Sequence, residues 1–302
     1  MTGFARDHLG TLLVLADEGT FERAAARLQV TASAVSQRIK TMEQAAGQIL
    51  VERTNPVRPT AAGDVVLRLA RQVQLVENEA LAELGQSGTG AGRATVAVAV
   101  NSDSLATWFL RALASAAQQL DVVFDVHADD QEYTAGLLRS GTVMAAVTSI
   151  PEPVQGCSVT GLGTMRYFAV ASPAFVARWG GAGILSSWLA SAPLVDFDHK
   201  DGLQRGFLER RGMDARDSPR NVVPTSADFA RAVVLGLGWG MLPERQCLDD
   251  LAQGTLVTLA PDDPTDVPLF WQRWNLDSRL LDALTVAVHE AAAEALQPTL
   301  GR

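Results

Sequence analysis

The sequence predicts a small helical unit at the N-terminus, a long helix, and then an α/β domain with largely parallel strands. Three observations predict this arrangement. The chain has 302 residues, which is more than one typical domain and fewer than three. Apolar side chains recur at helical spacing as far as residue 84, and beyond a glycine-rich stretch at 86–92 strand-like and helical patterns alternate. The apolar fraction of 47% suffices for real hydrophobic cores, which excludes a disordered chain and a fibre.

Several protein classes are excluded by what the sequence lacks. No apolar run approaches eighteen residues, and Asp7 and His8 interrupt the stretch where a secretory signal would be apolar, so we expect a cytoplasmic protein without a membrane segment. Cys157 and Cys247 have no metal-ligand spacing and are expected to be free thiols in a reducing compartment. The four histidines share no zinc spacing, and no catalytic serine or cysteine motif occurs. We therefore expect no metal, no cofactor and no enzymatic activity.

Three short helices open the chain. The first carries an apolar face through Leu12 and Leu15 and ends at Gly19, and the second begins at Phe21. Thr31 is a suitable N-cap for the third helix, whose apolar side chains are spaced four and three residues apart. These apolar side chains are Val35, Ile39 and Met42.

The third helix also has a polar face. Ser33, Ser36, Gln37 and Lys40 fall within about 100° of one another on the helix. Small hydroxyls, an amide and a cation hydrogen-bond base edges and phosphates, and they are short enough for a helix to enter a major groove. Arg38 lies on the flank, where a phosphate strand would pass. The alternative is the solvated face of an ordinary amphipathic helix.

A strand-like return follows the third helix. Residues 49–53 alternate in polarity, Asn55-Pro56 is a turn signal, and Arg58 and Thr60 lie on the returning segment. Arg53 and Arg58 would contact DNA phosphates here and would strengthen binding to every sequence equally.

A long helix from about Ala61 to Leu84 comes next, roughly 36 Å long. Its apolar side chains repeat at alternating spacings of four and three, which is typical of a helix that pairs with another helix. We expect this seam to form a two-fold homodimer. The seam residues are Ala62, Val66, Leu69, Val73, Val76 and Ala80.

The charge divides unevenly between the two parts of the chain. The first 94 residues contain ten basic and ten acidic side chains, so the net charge of −9 comes entirely from the remainder. A neutral N-terminal unit does not repel an anionic polymer, whereas the acidic remainder attracts cations.

The N-terminal segments in this order resemble the LysR-type transcription regulators. The resemblance is carried by residues 21–28 (FERAAARL), 31–39 (TASAVSQRI), 50–53 (LVER) and 59–63 (PTAAG). It implies a winged helix-turn-helix followed by a linker helix that dimerises. It also implies double-stranded DNA as partner, at a promoter near-palindrome. The expected DNA-binding residues are Thr31, Ser33, Ala34, Ser36, Gln37, Arg38, Lys40, Arg53 and Arg58.

The second part resembles the effector domain of the same family, a two-lobed α/β domain similar to periplasmic binding proteins. Residues 99–108, 197–199, 236–240 and 270–274 resemble in particular the branch that responds to lysine and arginine and regulates export of basic amino acids. One departure is that Ala227 and then Asp228 follow Thr225-Ser226, where that branch has an acidic residue and then glycine. This departure concerns the effector site and does not affect the expected fold.

The expected effector site combines anion and cation acceptors at the ends of strands. Asn101–Ser104 ends a strand and opens a helix, whose free N–H groups suit an α-carboxylate. Asp129 and Asp130 suit the distal ammonium or guanidinium group, with Asp198 as a further contact and Trp108 along the aliphatic stem. The alternative for both acidic and polar segments is a plain helix cap. The expected effector residues are Asn101, Ser102, Asp103, Ser104, Trp108, Asp129, Asp130, Thr148, Asp198, Thr225, Ser226 and Asp228.

The domain boundaries follow from these patterns. We expect a DNA-binding domain at 1–60, a linker helix and hinge at 61–92, and an effector domain at 93–302. Its first lobe comprises about 93–166 and 269–302, and its second about 167–268. The function expected is regulation of transcription by a small effector, with dimer or tetramer left open. The alternative is a solute-binding or enzymatic α/β protein with an unrelated helical extension.

Overall fold

The computed structural model describes residues 3–85, 93–128, 131–180, 185, 188–216 and 218–298. The N-terminal unit contains three helices and a two-stranded antiparallel wing in the predicted order. Its elements are α1 (Arg6–Glu18), α2 (Phe21–Leu28), α3 (Ala32–Ala46), β1 (Val51–Glu52) and β2 (Arg58–Pro59). The winged helix-turn-helix expected from the sequence is thereby confirmed.

Local capping fixes where these helices begin and end. Gly19 ends α1 in the left-handed conformation, with φ of 72°, which glycine adopts without strain. The hydroxyl of Thr20 accepts a hydrogen bond from the Arg23 N–H at the start of α2, and Thr31 does the same for Ala34 at the start of α3. The second and third helices therefore begin where the sequence predicts.

The core of the N-terminal unit is shared by all of its elements. The predicted apolar side chains of α3, which are Val35, Ile39 and Met42, are buried against Leu12 and Leu15 of α1. The polar face of α3, comprising Ser33, Ser36, Gln37 and Lys40, is consequently left on the outside.

The long helix α4 (Ala61–Glu83) is fastened to the wing at its first turn. The Thr60 hydroxyl accepts from the Gly63 N–H at 3.1 Å and donates to the Ile49 carbonyl at 2.7 Å. A Cβ on Gly63 would lie 2.0 Å from the Leu50 carbonyl oxygen, so only glycine allows this close approach. Thr60 and Gly63 are thus the residues that allow the start of α4 to pack closely against the wing.

The predicted seam of α4 is only partly available to a second chain. Val66 is 6% exposed in the core of the N-terminal unit, and Val73 packs partly against the same core. The expectation that Val66 pairs with a partner helix is wrong, because α1 already covers that side of α4. Val73 is partly covered in the same way, so only part of its side chain is left for a partner helix. The apolar side chains that remain exposed on α4 form a neighbouring stripe that also includes Val65. This stripe comprises Val65, Leu69, Val76 and Ala80.

The effector domain alternates strands and helices as predicted. Its strands are β3 (Ala94–Val100), β4 (Val122–Ala128), β5 (Ala145–Thr148), β6 (Cys157–Ala171), β7 (Leu194–Asp196), β8 (Arg220–Val222), β9 (Gly240–Pro243), β10 (Val257–Thr258) and β11 (Thr265–Trp274). Its helices are α5 (Ser102–Ser104), a π-helical turn (Leu105–Phe109) continuing into α6 (Leu110–Gln119), α7 (Gln131–Ser140), α8 (Pro173–Trp179), α9 (Leu203–Arg210), α10 (Ser226–Val234), α11 (Glu244–Gln253) and α12 (Arg279–Ala295).

One sheet runs through both lobes. Its order is β10-β6-β11-β5-β3-β4, with β9 also paired to β6. The pairs β3–β4 and β3–β5 are parallel, whereas the long strands β6 and β11 are antiparallel. In the second lobe, β7 pairs in parallel with β8. The expected lobe boundaries near 166 and 269 fall inside β6 and β11, so these two continuous strands connect the lobes.

Helix α4 also contacts the effector domain. The Glu79 carboxylate accepts hydrogen bonds from the Ser278 hydroxyl at 2.7 Å and from the Leu280 N–H at 3.1 Å, at the start of α12. Arg68 donates to the Gln155 carbonyl at 2.8 Å, and Leu75 is buried in the effector-domain core. No helix in the described residues is long and apolar enough to cross a bilayer.

Candidate functional site

The polar face of α3 is presented to solvent. Ser33, Gln37 and Lys40 are exposed and Ser36 is half-buried, while Ala34 lies half-buried in the first turn. The Thr31 and Ser33 hydroxyls are 2.9 Å apart, which orders the end of the helix that would enter a groove first. A surface of hydroxyls, an amide and one ammonium group on a protruding helix is suited to base edges.

The arginines around this helix differ in their freedom. Arg38 donates from Nη1 to the Thr11 hydroxyl at 3.0 Å, and Thr11 in turn donates to the Asp7 carbonyl. Arg38 therefore has a structural role, because it holds α3 against α1. This role is additional to the phosphate contact expected from its place on the flank of the polar face. Arg53 lies 5.6 Å from the centroid of the Phe21 ring, and Arg58 is exposed on β2. The wing thus presents both of its predicted arginines to solvent.

A cavity of about 760 Å³ lies between the two lobes of the effector domain. Its size suits a small molecule. The first lobe contributes Asn101, Ser102, Asp103, Ser149 and Ile150. The second lobe and the connecting strands contribute Tyr167, Phe197, Asp198, Lys200, Asp201, Gly202, Leu203, Phe229, Met241, Leu242 and Val267.

Asp103 is the centre of the polar network in this cavity. Its carboxylate accepts a hydrogen bond from the Tyr167 hydroxyl at 2.8 Å and another from the Ser226 hydroxyl at 2.7 Å. Burial raises the pKa of Asp103, while the hydrogen bonds from Ser226 and Tyr167 lower it and the like charge of Asp201 raises it. Burial and the neighbouring Asp103 carboxylate also hold the pKa of Tyr167 well above its usual value. Tyr167 is therefore a protonated donor.

Two further carboxylates of the cavity are fixed by the loop after β7. The Asp198 carboxylate accepts from the N–H groups of Lys200 and Asp201, at 2.7 and 2.9 Å. The Asp201 carboxylate accepts from the N–H groups of Phe197 and Leu203, at 2.9 and 3.1 Å. These bonds from backbone donors set the orientation of both side chains before any ligand binds.

The first turn of the helix at 102–119 lacks a side-chain cap. Asn101 stands at the N-cap position, yet its side chain accepts no hydrogen bond from the helix. Its Oδ1 atom is buried without a hydrogen-bond partner in the described part of the chain. The first N–H groups of a helix have no partner within the helix, so donors and an acceptor both remain for a ligand at Asn101–Asp103.

Several predicted effector residues lie elsewhere. Trp108 is 2% exposed in the core and Ser104 is fully buried, so neither lines the cavity. The expectation that Trp108 lies along a ligand stem is wrong, because the π-helical turn directs it into the packing around Phe109. Thr148 is buried and accepts from the Ile150 N–H. Asp129 and Asp130 lie outside the described residues.

The segment that contains Ala227 caps α10, and one of its side chains also contacts the polar network of the cavity. Thr225 accepts from the Asp228 N–H and donates to the Asp228 carboxylate, so both residues cap α10 and do not line the cavity. Ser226 is the residue of this segment that reaches the cavity network, through Asp103. Asp228 as a direct ligand contact is therefore not supported.

The sequence reasoning missed Asp201 and Tyr167. Asp201 could have been found because it follows Asp198 by three residues in a loop directly after a strand, where ligands of α/β proteins bind. Tyr167 gave no local signal, because it lies in the middle of a long strand. No group of three or more metal-ligating side chains occurs within the described residues.

Two family models match the chain. Residues 6–64 match the bacterial regulatory helix-turn-helix protein model of the lysR family, and residues 63–293 match the LysR substrate binding domain. These matches meet at the start of α4, where the winged unit ends.

Curated relatives match over nearly the whole chain. The HTH-type transcriptional regulator LysG of Mycobacterium tuberculosis strain H37Rv is 44% identical over 285 residues, covering 94% of this chain and 92% of the relative. The lysine export transcriptional regulatory protein LysG of Corynebacterium glutamicum is 41% identical over 292 residues, covering 96% and 98%.

Solved structures share the fold over the same length. A crystal structure of ArgP from Mycobacterium tuberculosis has a TM-score of 0.88 at 44% identity and covers 97% of this chain and 98% of its own. Full-length LysG from Corynebacterium glutamicum with bound effector arginine has a TM-score of 0.82 at 38% identity, covering 97% and 100%.

Proposed function

This chain belongs to the LysR family of bacterial transcription regulators, and from that premise we propose that it regulates transcription in response to a basic amino acid, lysine or arginine. Family membership confirms the expectation of a DNA-binding regulator rather than an enzyme. It leaves no support for the alternative of a solute-binding or enzymatic protein with an unrelated helical extension.

The observation that carries the effector proposal is the arrangement of carboxylates in the cavity. Asp103 from the first lobe and Asp198 and Asp201 from the second line one cavity. Among the described residues of this lining, Lys200 is the one cationic side chain, so three carboxylates against one ammonium group leave the cavity with an excess of negative charge that attracts a cation. A basic amino acid supplies two cationic groups, and the similar LysG of Corynebacterium glutamicum binds arginine as its effector.

The ligand's ends are assigned by chemistry. The uncapped helix start at Ser102 suits the α-carboxylate, because its N–H groups point outward and the helix dipole is positive there. Asp198 and Asp201 suit the distal ammonium or guanidinium group, across the cavity in the second lobe. Asp129 and Asp130 stay in the proposal on sequence grounds.

DNA binding is proposed through the polar face of α3 and the wing. A two-fold homodimer formed through α4 would place two α3 helices in successive major grooves of a near-palindromic promoter. Because a relative is named a regulator of lysine export, we propose an exporter gene for basic amino acids as the target. A protein that regulates bacterial transcription works in the cytoplasm, and we propose that location.

Calorimetric titration of the purified full-length protein with lysine, arginine, leucine and glutamate tests the effector proposal. We expect binding of lysine or arginine, and only weak binding of leucine, which leaves the carboxylates unpaired. Asp198→Asn should weaken lysine or arginine binding about ten- to hundredfold, as expected for loss of a charge-assisted pair. Asp249→Asn is the matched control, because Asp249 is exposed on α11 and does not line the cavity. Tight leucine binding, or an Asp198→Asn variant with full affinity, would contradict the proposal.

A further inference from the structure

Asp103 joins three parts of the effector domain through one carboxylate. It stands at the start of the first-lobe helix at 102–119, it accepts from Tyr167 on the strand β6 that connects the lobes, and it accepts from Ser226 at the start of α10 in the second lobe. Ser226 is itself bonded to Gln246, whose amide donates to the Ser226 carbonyl at 2.9 Å. The Asp103 carboxylate is therefore in direct contact with both lobes and with a strand that connects them.

The Asp103 carboxylate has no ion-pair partner in the part of the chain that the structure describes. The like charge of Asp201 acts on it and raises its pKa. A carboxylate has about four lone-pair sites, so the two hydroxyl donors leave acceptor capacity. The site thus accepts a cation that carries N–H donors.

A second acceptor lies beside this carboxylate. Asn101 lines the same cavity, and its buried Oδ1 is without a hydrogen-bond partner in the described part of the chain. A buried acceptor left unpaired costs free energy, so a ligand donor is the expected partner. Asp103 and Asn101 together offer two acceptors to one small donor group, which fits an ammonium group with its three N–H bonds.

We propose that Asp103 and Asn101 bind the α-ammonium group of the effector, and that this contact holds the two lobes together through Tyr167 and Ser226. The proposal rests on the proposed function, because it assigns one group of the same ligand. The α-ammonium and α-carboxylate groups share one carbon atom, so their binding sites must be adjacent. Residues Asn101–Asp103 provide N–H donors for the α-carboxylate group and, beside them, oxygen acceptors for the α-ammonium group.

The consequence is selectivity for α-amino acids. 6-Aminohexanoate has the carboxylate and distal ammonium group of lysine but lacks the α-ammonium group. It would leave Asp103 and Asn101 without their partner, so the wild-type protein should bind it at least about tenfold more weakly than lysine.

A ligand-and-variant cycle tests the assignment. The affinities of lysine and 6-aminohexanoate, or of arginine and 5-guanidinopentanoate, are measured by calorimetry on the full-length protein before and after Asp103→Asn. We expect the variant to lose most of the preference for the α-amino ligand, so that the ratio of the two affinities falls by about tenfold or more. If the variant merely loosens the contact between the lobes, the affinities of both ligands fall by the same factor and their ratio does not change.

Ser226→Ala is the matched control, because it removes a donor to Asp103 from the second lobe without removing the carboxylate. We expect it to weaken both ligands by the same factor and to keep their ratio. Asn101→Leu provides a second variant if Asp103→Asn does not fold, and it should lower the ratio in the same direction.

The outcomes separate this inference from the proposed function. If lysine or arginine binds but neither Asp103→Asn nor Asn101→Leu changes the affinity ratio, the α-ammonium assignment alone is overturned. Asp103 would then serve only to connect the two lobes through its hydrogen bonds. Absence of lysine and arginine binding by the wild-type protein overturns the proposed function, and the assignment with it.

Discussion

Gln37 is the residue on which sequence-specific DNA recognition most depends in this account. It is exposed at the centre of the polar face of α3, and its amide can form two hydrogen bonds with adenine. Gln37→Ala should weaken binding to the preferred duplex by about 1–3 kcal/mol and relax preference at one base position. Selection from random duplexes followed by fluorescence anisotropy measures both effects.

Controls for Gln37 are available in the same unit. Gln74→Ala changes an exposed glutamine on α4 and should leave DNA affinity unaltered. Arg58→Ala on the wing should weaken binding to all sequences and flatten its salt dependence, because a phosphate contact carries no base information. Unchanged affinity and base preference in Gln37→Ala would mean that α3 does not contact the bases.

Asp196 gives a pH dependence to stability. It is 2% exposed on β7, 3.2 Å from Arg220, and burial raises its pKa to about 6, with the like charge of Asp201 adding to the effect of burial and Arg220 opposing it. The fold thus favours the protonated acid. That contribution to stability is complete below the unfolded-state pKa of 3.8 and is lost as the pH rises through 6.

Asp196→Asn remains neutral at every pH, so it should not undergo this loss. Relative to the wild type, its free energy of unfolding should increase by about 2 kcal/mol between pH 4 and pH 7. Urea unfolding at intervals across that range measures the difference. Parallel pH profiles for variant and wild type would show that burial does not shift the titration of Asp196.

Residue positions were predictable from sequence where a local pattern fixes them. Ser33, Ser36, Gln37 and Lys40 lie on one helix, and helical periodicity alone places them on one face. The residues of the cavity come from segments far apart in sequence, so Tyr167 had no local signal. Trp108 was misplaced because it lies within the π-helical turn and is buried in the core, and nothing local in the sequence distinguishes a core tryptophan from one that lines a cavity.

At the scale of elements, the proposed dimer depends on the exposed stripe of α4. Val65, Leu69 and Val76 are 59%, 40% and 47% exposed in the single chain, which is unusual for large apolar side chains on one helix face. Leu69→Asp should dissociate the dimer, because burying an unpaired charge in the interface is costly. Sedimentation velocity at one protein concentration measures the result.

Matched variants separate assembly from folding. Gln74→Asp adds the same charge on an exposed position of α4 outside the stripe and should leave the dimer intact. Val66→Asp should instead unfold the N-terminal unit, because Val66 belongs to its core. A Leu69→Asp variant that sediments as the wild type would exclude the stripe as the interface.

Elements were predictable to different extents. The helices α1 to α4 follow from periodicity and capping residues, and α4 ends within one residue of its predicted end. β6 runs from Cys157 to Ala171, but its first part passes through Gly161 and Gly163 and lacks a regular apolar alternation, so the sequence pattern does not reveal its full length. Helices α8 and α11 are short, so they contain too few helical turns for a periodic pattern to reveal them.

At the scale of the whole molecule, α4 connects the DNA-binding unit with the effector domain. Arg71 on α4 lies near Asp17 of α1, at 4.0 Å, and its Nη1 is 3.5 Å from the Ser140 carbonyl at the end of α7. Glu79 caps α12 further along the same helix. A movement of the first lobe would therefore act on the same helix that carries the DNA-binding unit and the exposed stripe.

The division into units was predictable, because apolar residues recur at helical spacing in the first unit and strand and helix patterns alternate in the second. The contacts between the units were not predictable. Arg68, Glu79 and Leu75 contact the effector domain through α4, and nothing in a helical pattern reveals which face meets a second domain. The continuity of β6 and β11 through both lobes depends likewise on pairing between distant segments.

DNase I footprinting with and without amino acids tests the central claim most directly. The full-length protein is bound to a duplex obtained by selection, and lysine, arginine or leucine is added. We predict that lysine or arginine changes the protected length or the protein concentration needed for protection, that leucine does not, and that Asp198→Asn raises the effective concentration about ten- to hundredfold. An identical footprint at identical protein concentrations, with and without saturating lysine and arginine, would contradict the account.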